Sequence, residues 1–139
     1  MSATQQVPLP RKAARGRILI VDDVLLVRMW IADFLRGRGF DVVEAASGEE
    51  AIRVLEAGFA IDVVVSDLYM PGAAIDGVSL ARWLRQARPD LKIILASGVT
   101  HFLDPADEAI CACPLLPKPY DHRELERHLV DVLQDGAAD

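Results

Sequence analysis

From Arg17 onward, short continuous apolar runs alternate with stretches in which apolar residues return every three or four positions. Ile18 to Val21, Asp41 to Ala45, Ile61 to Ser66, Leu91 to Ala96 and Cys113 to Leu116 read as five strands. The third and fourth are apolar almost throughout, as strands are when helices cover both faces of a parallel sheet. Between the strands, Val27, Trp30, Ile31, Phe34 and Leu35 recur at helical spacing, and Gly37 and Gly39 close that first helix. Ser47 with Glu50 three residues later forms a capping box, which starts a second helix that runs through Ala57 and stops at Gly58. Val78, Leu80, Ala81, Leu84 and Ala87 supply a third, ended by Pro89. Asp104 before Pro105 marks the start of a short helix to about Ile110. A second capping box, Asp121 with Glu124, opens a last helix through Leu125, Leu129, Val132 and Leu133, with Gly136 as its stop.

This alternation predicts an α/β fold: a doubly wound five-stranded parallel sheet with right-handed crossovers and helices on both faces. The expected strand order is flavodoxin-like, 2-1-3-4-5, with its switch point between the first and third strands. Residues 1–16 lack periodicity and are expected to form a flexible arm, residues 17–135 the folded domain, and residues 136–139 a short tail. Trp30 and Trp83 are expected as core or half-buried packing residues.

Composition narrows the function. A chain of 139 residues can close one core, so the sequence is expected to stand alone without an effector domain. The net charge of −6 argues against a nucleic-acid surface, which needs a basic face to displace counterions. No stretch approaches the roughly 20 apolar residues of a membrane span, and a cytoplasmic location is expected. Cys111 and Cys113 lack the further ligands of a zinc site and read as buried thiols, while His101, His122 and His128 form no ligand pattern.

Chemistry gathers at the strand ends. Asp22 and Asp23 follow the first strand, Asp67 the third and Ser97 the fourth, while Lys118 and Pro119 follow the fifth; a parallel sheet brings all of them to one edge. Taken singly, Asp22 or Asp23 could cap a helix, Asp67 could start the turn at Pro71-Gly72, and Ser97 or Lys118 could merely end a strand. Jointly those readings require several coincidences at one edge. Two carboxylates about 4 Å apart repel by roughly 4 kcal/mol at an effective dielectric near 20, so three need a cation or a proton. Carboxylate oxygens without Cys or His ligands suit Mg2+, which leaves room for a phosphate oxygen. Lys118 adds a flexible ammonium and Ser97 a hydroxyl, both able to hold a phosphoryl group.

These residues resemble the receiver domain of bacterial response regulators over about residues 17–135. The likeness rests on the acidic pair in ILIVDD, the aspartate in VVSDLYMPG, the hydroxyl in ILASG and the lysine in LPKPY. The offsets of 44 from Asp23 to Asp67, 30 from Asp67 to Ser97 and 21 from Ser97 to Lys118 are typical of that family. The resemblance implies that Asp67 accepts a phosphoryl group from a histidine kinase or a histidine phosphotransfer protein. It further implies that Asp23, Asp67 and the backbone carbonyl of Tyr69 bind Mg2+ directly, with Asp22 acting through metal-bound water. Lys118 would pair with the phosphoryl group, Ser97 would close onto it, and the Lys118–Pro119 bond would be cis. Such a protein is a phosphoacceptor, not a turnover enzyme. Its target would be a protein bound on the face of the short 104–110 helix, the fifth strand and the last helix.

Three departures and three alternatives accompany the likeness. Leu115 stands where the family often has a switching aromatic. The loop from Asp67 to Asp76-Gly77 is about two residues longer than the common form and is expected to be apolar and mobile. Tyr69 and Val99 are bulky enough to shield an acyl phosphate, which predicts slow self-dephosphorylation. A receiver module from a hybrid histidine kinase would carry the same motifs. A Mg2+-dependent phosphohydrolase commonly needs Asp-x-Asp rather than adjacent Asp22-Asp23, and a nucleotide or flavin module needs a Gly-rich loop that is missing after the first strand.

Overall fold

Two apolar layers, one on each face of a parallel sheet, organise the residues that the computed structural model describes, 15–97 and 114–137. The strands are β1 (Arg17–Val21), β2 (Asp41–Ala45), β3 (Val63–Asp67), β4 (Lys92–Ser97) and β5 (Leu115–Pro117), in the order β2-β1-β3-β4-β5. All pairings are parallel, and the expected order holds. The helices are α1 (Leu25–Gly37), α2 (Gly48–Glu56), α3 (Gly77–Ala87) and α4 (His122–Ala137). Strand residues alternate between the layers. Leu19, Val21, Val64 and Leu95 meet Ala51 and Leu55 of α2 and Leu80 and Leu84 of α3. Ile18, Ile20, Val65 and Ile94 meet Ile31 and Leu35 of α1 and Leu125 and Leu129 of α4.

Local chemistry explains the boundaries. The Ser47 hydroxyl accepts the Glu50 N–H at 3.2 Å while Glu50 accepts the Ala46 N–H at 2.9 Å, which completes the first capping box. Asp76 caps α3 by accepting the Ser79 N–H at 3.1 Å, and Asp121 accepts the Glu124 N–H at 2.8 Å before α4. Strand β5 begins two residues later than the sequence suggests. It is an edge strand between Pro114 and Pro117, neither of which has an N–H to give a ladder. Helix α4 runs through Gly136, the expected stop, to Ala137. The short helix expected over 104–110, the two cysteines, Val99 and most of the arm lie outside the described residues.

One expectation fails within α1. Ile31, Ala32 and Leu35 are its buried residues, whereas Trp30 is 74% exposed and Val27 also faces outward. Positions 31 and 35 share a face, and Trp30 is turned about 100° from it. Trp83, by contrast, is half-buried against the α2/α3 layer.

Strand register aligns the carboxyl ends of the strands. Val21 stands opposite Ser66, Asp67 opposite Ala96, and Ser97 opposite Pro117, so Asp22, Asp67, Ser97 and Lys118 all emerge at one edge. Gly77 makes this edge compact: a Cβ there would lie 2.1 Å from the Asp67 carbonyl oxygen.

Candidate functional site

Each side chain of the site sits at the last residue of a strand or just beyond it. The Asp22 N–H continues the β1–β2 ladder by donating to the Ala45 carbonyl at 3.1 Å. The Asp22 carboxylate then accepts the Val24 N–H at 2.8 Å. Arg28 ties down the same turn, donating to the Asp22 carbonyl at 2.7 Å and to Glu44 at 3.1 Å. No side chain caps α1, so neither Asp22 nor Asp23 serves as the helix cap that a lone carboxylate there would suggest. Asp22 is buried and Asp23 is exposed.

Asp22, Asp23 and Asp67 each offer a carboxylate oxygen within 4.8 Å of the others. Lys118 reaches across from the end of β5, and its Nζ lies 2.6 Å from Asp67 Oδ1. Its backbone N–H donates to the Ser97 carbonyl at 2.9 Å, which brings the ends of β4 and β5 together. Ser97 itself is buried, and the Lys118–Pro119 bond is cis. Leu115 is half-buried on β5, and Tyr69 is exposed two residues after Asp67.

The balance of charge shows in the acidities. Burial pushes the Asp67 carboxyl above its usual range, with the neighbouring charges of Asp22 and Asp23 adding to the rise and the Lys118 ammonium opposing it. Tyr120 is pushed up to about 12 by burial and by the charges of Asp22 and Asp67. Three carboxylates against one ammonium leave negative charge in excess at this edge. Hard oxygen donors so placed fit a divalent cation such as Mg2+, which would neutralise the cluster.

Sequence reasoning left several neighbours without a role. Val27, Trp30, Ile31, Lys118, Pro119, Tyr120 and His122 line a groove of about 450 Å³ beside the carboxylates. His122 lies against Phe34 with ring centroids 5.0 Å apart and edge-on to Trp30 at 6.5 Å. Leu25, Leu26, Met29 and Trp30 leave an apolar surface on the first turns of α1. The signal was legible as an apolar run from Val24 to Trp30, interrupted only by Arg28 and too wide for one buried stripe. The loop after Asp67, expected to be mobile, is anchored: Leu68 and Met70 are buried, and Ala73 and Ile75 pack on the core.

Comparison with known proteins bears on this arrangement. Residues 18–130 match the family model described as the response regulator receiver domain. Sensor kinase CckA of Brucella abortus is 38% identical over 122 residues, covering 84% of this chain and 12% of the kinase. Response regulator TrrA of Thermotoga maritima, solved in complex with Mg2+ and BeF, has a TM-score of 0.74 at 30% identity, covering 84% of this chain and 98% of that one. The receiver domain of the hybrid histidine kinase CckA has a TM-score of 0.68 at 37% identity, covering 85% of this chain and 99% of that one. Of four such curated relatives, the chain spans between 12% and 49% of the length. Among the described residues, no helix is long and apolar enough to cross a membrane.

Proposed function

The chain belongs to the response regulator receiver domain family, the phosphoacceptors of two-component signalling, and on that premise we propose that Asp67 takes a phosphoryl group from a histidine kinase or a histidine phosphotransfer protein. The observation that carries this reading is the Lys118 ammonium 2.6 Å from Asp67, inside a set of three carboxylates whose oxygens lie within 4.8 Å of one another.

Asp67 supplies the nucleophilic oxygen. The new P–O bond forms as the P–N bond of the donor's phosphohistidine breaks, and the imidazole departs with the bonding pair. Asp23, Asp67 and the Tyr69 carbonyl would hold Mg2+, with Asp22 acting through water, and the ion would supply positive charge to the phosphoryl oxygens. Lys118 holds the Asp67 carboxylate in place before transfer and follows the phosphoryl oxygens afterwards. Ser97 donates its hydroxyl to the same group. The protein's share of the work is positioning and charge neutralisation, and it acts once per phosphoryl group rather than by turnover.

The apolar lip of α1 suits the donor's approach, since it borders the groove that Lys118 lines. We place the target on the face of β5 and α4, and the protein itself in the cytoplasm. Leu115 takes the family's aromatic switch position, so the output would not depend on an aromatic rotation there. A second reading, a receiver module that works within a hybrid histidine kinase, is supported by the likeness to CckA.

Incubation with a small acyl phosphate, followed by intact-mass spectrometry, tests the assignment. One adduct is expected with Mg2+ and none with a chelator or in Asp67→Asn. An adduct that survives in Asp67→Asn overturns it.

A further inference from the structure

The loop between β3 and α3 makes a long excursion from the site and is caught at its far end by α2. It leaves Asp67, runs past the exposed Tyr69, turns through Gly72 at a φ of 88°, and returns at Gly77 against the Asp67 carbonyl. Its near part is secured by the Leu68 N–H on the Ala96 carbonyl at 2.8 Å and by the Gly77 N–H on the Leu68 carbonyl at 3.1 Å. Its far part is held by the first two residues of α2. The Gly48 N–H donates to the Ile75 carbonyl at 2.9 Å. The Glu49 carboxylate accepts the Ile75 N–H at 3.0 Å and the Ala74 N–H at 3.4 Å. Hydrogen bonds from its own N–H and from Ile75 hold the Glu49 carboxyl below its ordinary range.

Gly48 is shaped for this contact. Its backbone is not in the left-handed region, so alanine would suit it as a helical residue, yet a Cβ there would lie 2.4 Å from the Ile75 carbonyl oxygen. Close approach to the loop, rather than backbone freedom, is what glycine allows here. Ser47 and Glu50 already form the capping box, so Glu49 is surplus to capping and is given over to the loop.

We propose that Gly48 and Glu49 are positioning residues for the phosphorylation site: they clamp the loop between β3 and α3, which carries Tyr69, and so fix the backbone whose Tyr69 carbonyl would join Asp67 in holding the metal. The inference rests on the reading of Asp67 and Tyr69 given above. It makes α2 part of the site's support although none of its residues touches the reacting atoms.

Mg2+ titration by calorimetry, paired with thermal melting in chelator, tests the clamp in wild type, Glu49→Ala, Glu49→Gln and Gly48→Ala. Partners that orient metal ligands typically contribute about 10- to 100-fold in affinity, and this clamp is a step further out, so Glu49→Ala is expected to weaken Mg2+ binding about 3- to 10-fold. Glu49→Gln, whose amide oxygen can still accept an N–H, should recover part of the loss. Gly48→Ala should weaken binding through a different contact, even though alanine is the better helix former by up to about 1 kcal/mol. Melting temperature in chelator separates this from general unfolding, because Gly48→Ala should lose affinity out of proportion to any change in stability. Unchanged Mg2+ affinity in both Glu49→Ala and Gly48→Ala overturns the clamp alone. Wild-type protein that takes up no Mg2+ overturns the reading of the site and the clamp with it.

Discussion

The two ends of α1 stand beside carboxylates in opposite electrical condition. At its start, Asp22, Asp23 and Asp67 crowd together, with the Lys118 ammonium against Asp67. Past its end, Arg38 meets Glu126 of α4 with Nε at 3.0 and 3.2 Å from the two carboxylate oxygens, and Arg15 adds a contact of 2.6 Å. Hydrogen bonds from Arg15 and then Arg38 hold the Glu126 carboxyl below its usual range, whereas burial holds Asp67 above it. Among the described residues, Glu126 is paired with two guanidiniums, whereas the cluster of three aspartates has one ammonium in a carboxylate ion pair. A carboxylate whose charge is fully met within the chain does structural work, joining the segment before β1 to α1 and α4. A cluster left with surplus charge fits the proposed uptake of a cation and then of a phosphoryl group.

The sharpest way to break this comparison is to remove the ammonium that faces Asp67 at the acidic end. Lys118→Met should slow phosphorylation by a small acyl phosphate about 100-fold, the typical loss of about 2.7 kcal/mol when a preorganised charge partner of the reacting group is removed. Folding should survive, because the variant relieves none of the core contacts. Adduct formation followed over time measures the rate. A near-normal rate in Lys118→Met would mean that the ammonium beside Asp67 is structural after all.

A second test uses pH and Mg2+ to set the two clusters against each other. For Asp67 the folded chain holds its proton more tightly than the unfolded chain, so in chelator its contribution to stability falls as pH rises above the ordinary aspartate value of about 4. Asp67→Asn should therefore gain on wild type as pH rises from about 4 toward neutral. Mg2+ should invert that order: at ten times its dissociation constant the ion adds about 1.4 kcal/mol to wild type by mass action and less to the variant. Denaturant melts across that range, with and without the ion, give the answer. The same sign for Asp67→Asn in both media would sink the idea that surplus charge at this edge is answered by a divalent ion.

The contrast between the clusters also marks what the sequence could tell. Asp22, Asp23, Asp67, Ser97 and Lys118 were legible because each ends a strand, and strand ends in a parallel sheet have only one edge to share. Glu126, Arg15 and Arg38 were not, since 111 residues separate Arg15 from Glu126 and no periodic pattern pairs them. The outward turn of Trp30 was missed for a related reason. Apolar spacing identifies a helix, but the sheet it packs on chooses the face, and here Ile31 and Leu35 reach it while Trp30 does not. Apolar Ala73, Ala74 and Ile75 suggested a loose loop; the Glu49 carboxylate that fastens two of their N–H groups comes from an element 25 residues earlier. What can be read locally is the existence of an element and the chemistry at its end. Which distant side chain meets it is a tertiary matter.

The smallest effect belongs to the Glu126 end. Glu126→Gln keeps the shape of the side chain and a carbonyl oxygen to accept one guanidinium hydrogen bond, but it removes the charge that two arginines face. Ion pairs at such partly exposed sites contribute roughly 0.2–1 kcal/mol each, so a loss of about 1 kcal/mol is expected for the pair of contacts. Its pH dependence should run opposite to that of Asp67. The Glu126 carboxyl is held below its usual range, so its stabilisation is present at neutral pH and fades on acidification below the ordinary glutamate value of about 4.3, where wild type and variant should converge. Salt should narrow the gap as well, because these charges reach solvent. The phosphorylation rate should not move, since nothing in this cluster touches Asp67 or Lys118. A Glu126→Gln protein that folds normally yet accepts phosphate severalfold more slowly would show that the two ends of α1 are energetically coupled, and the division between a structural and a functional charge cluster would no longer stand.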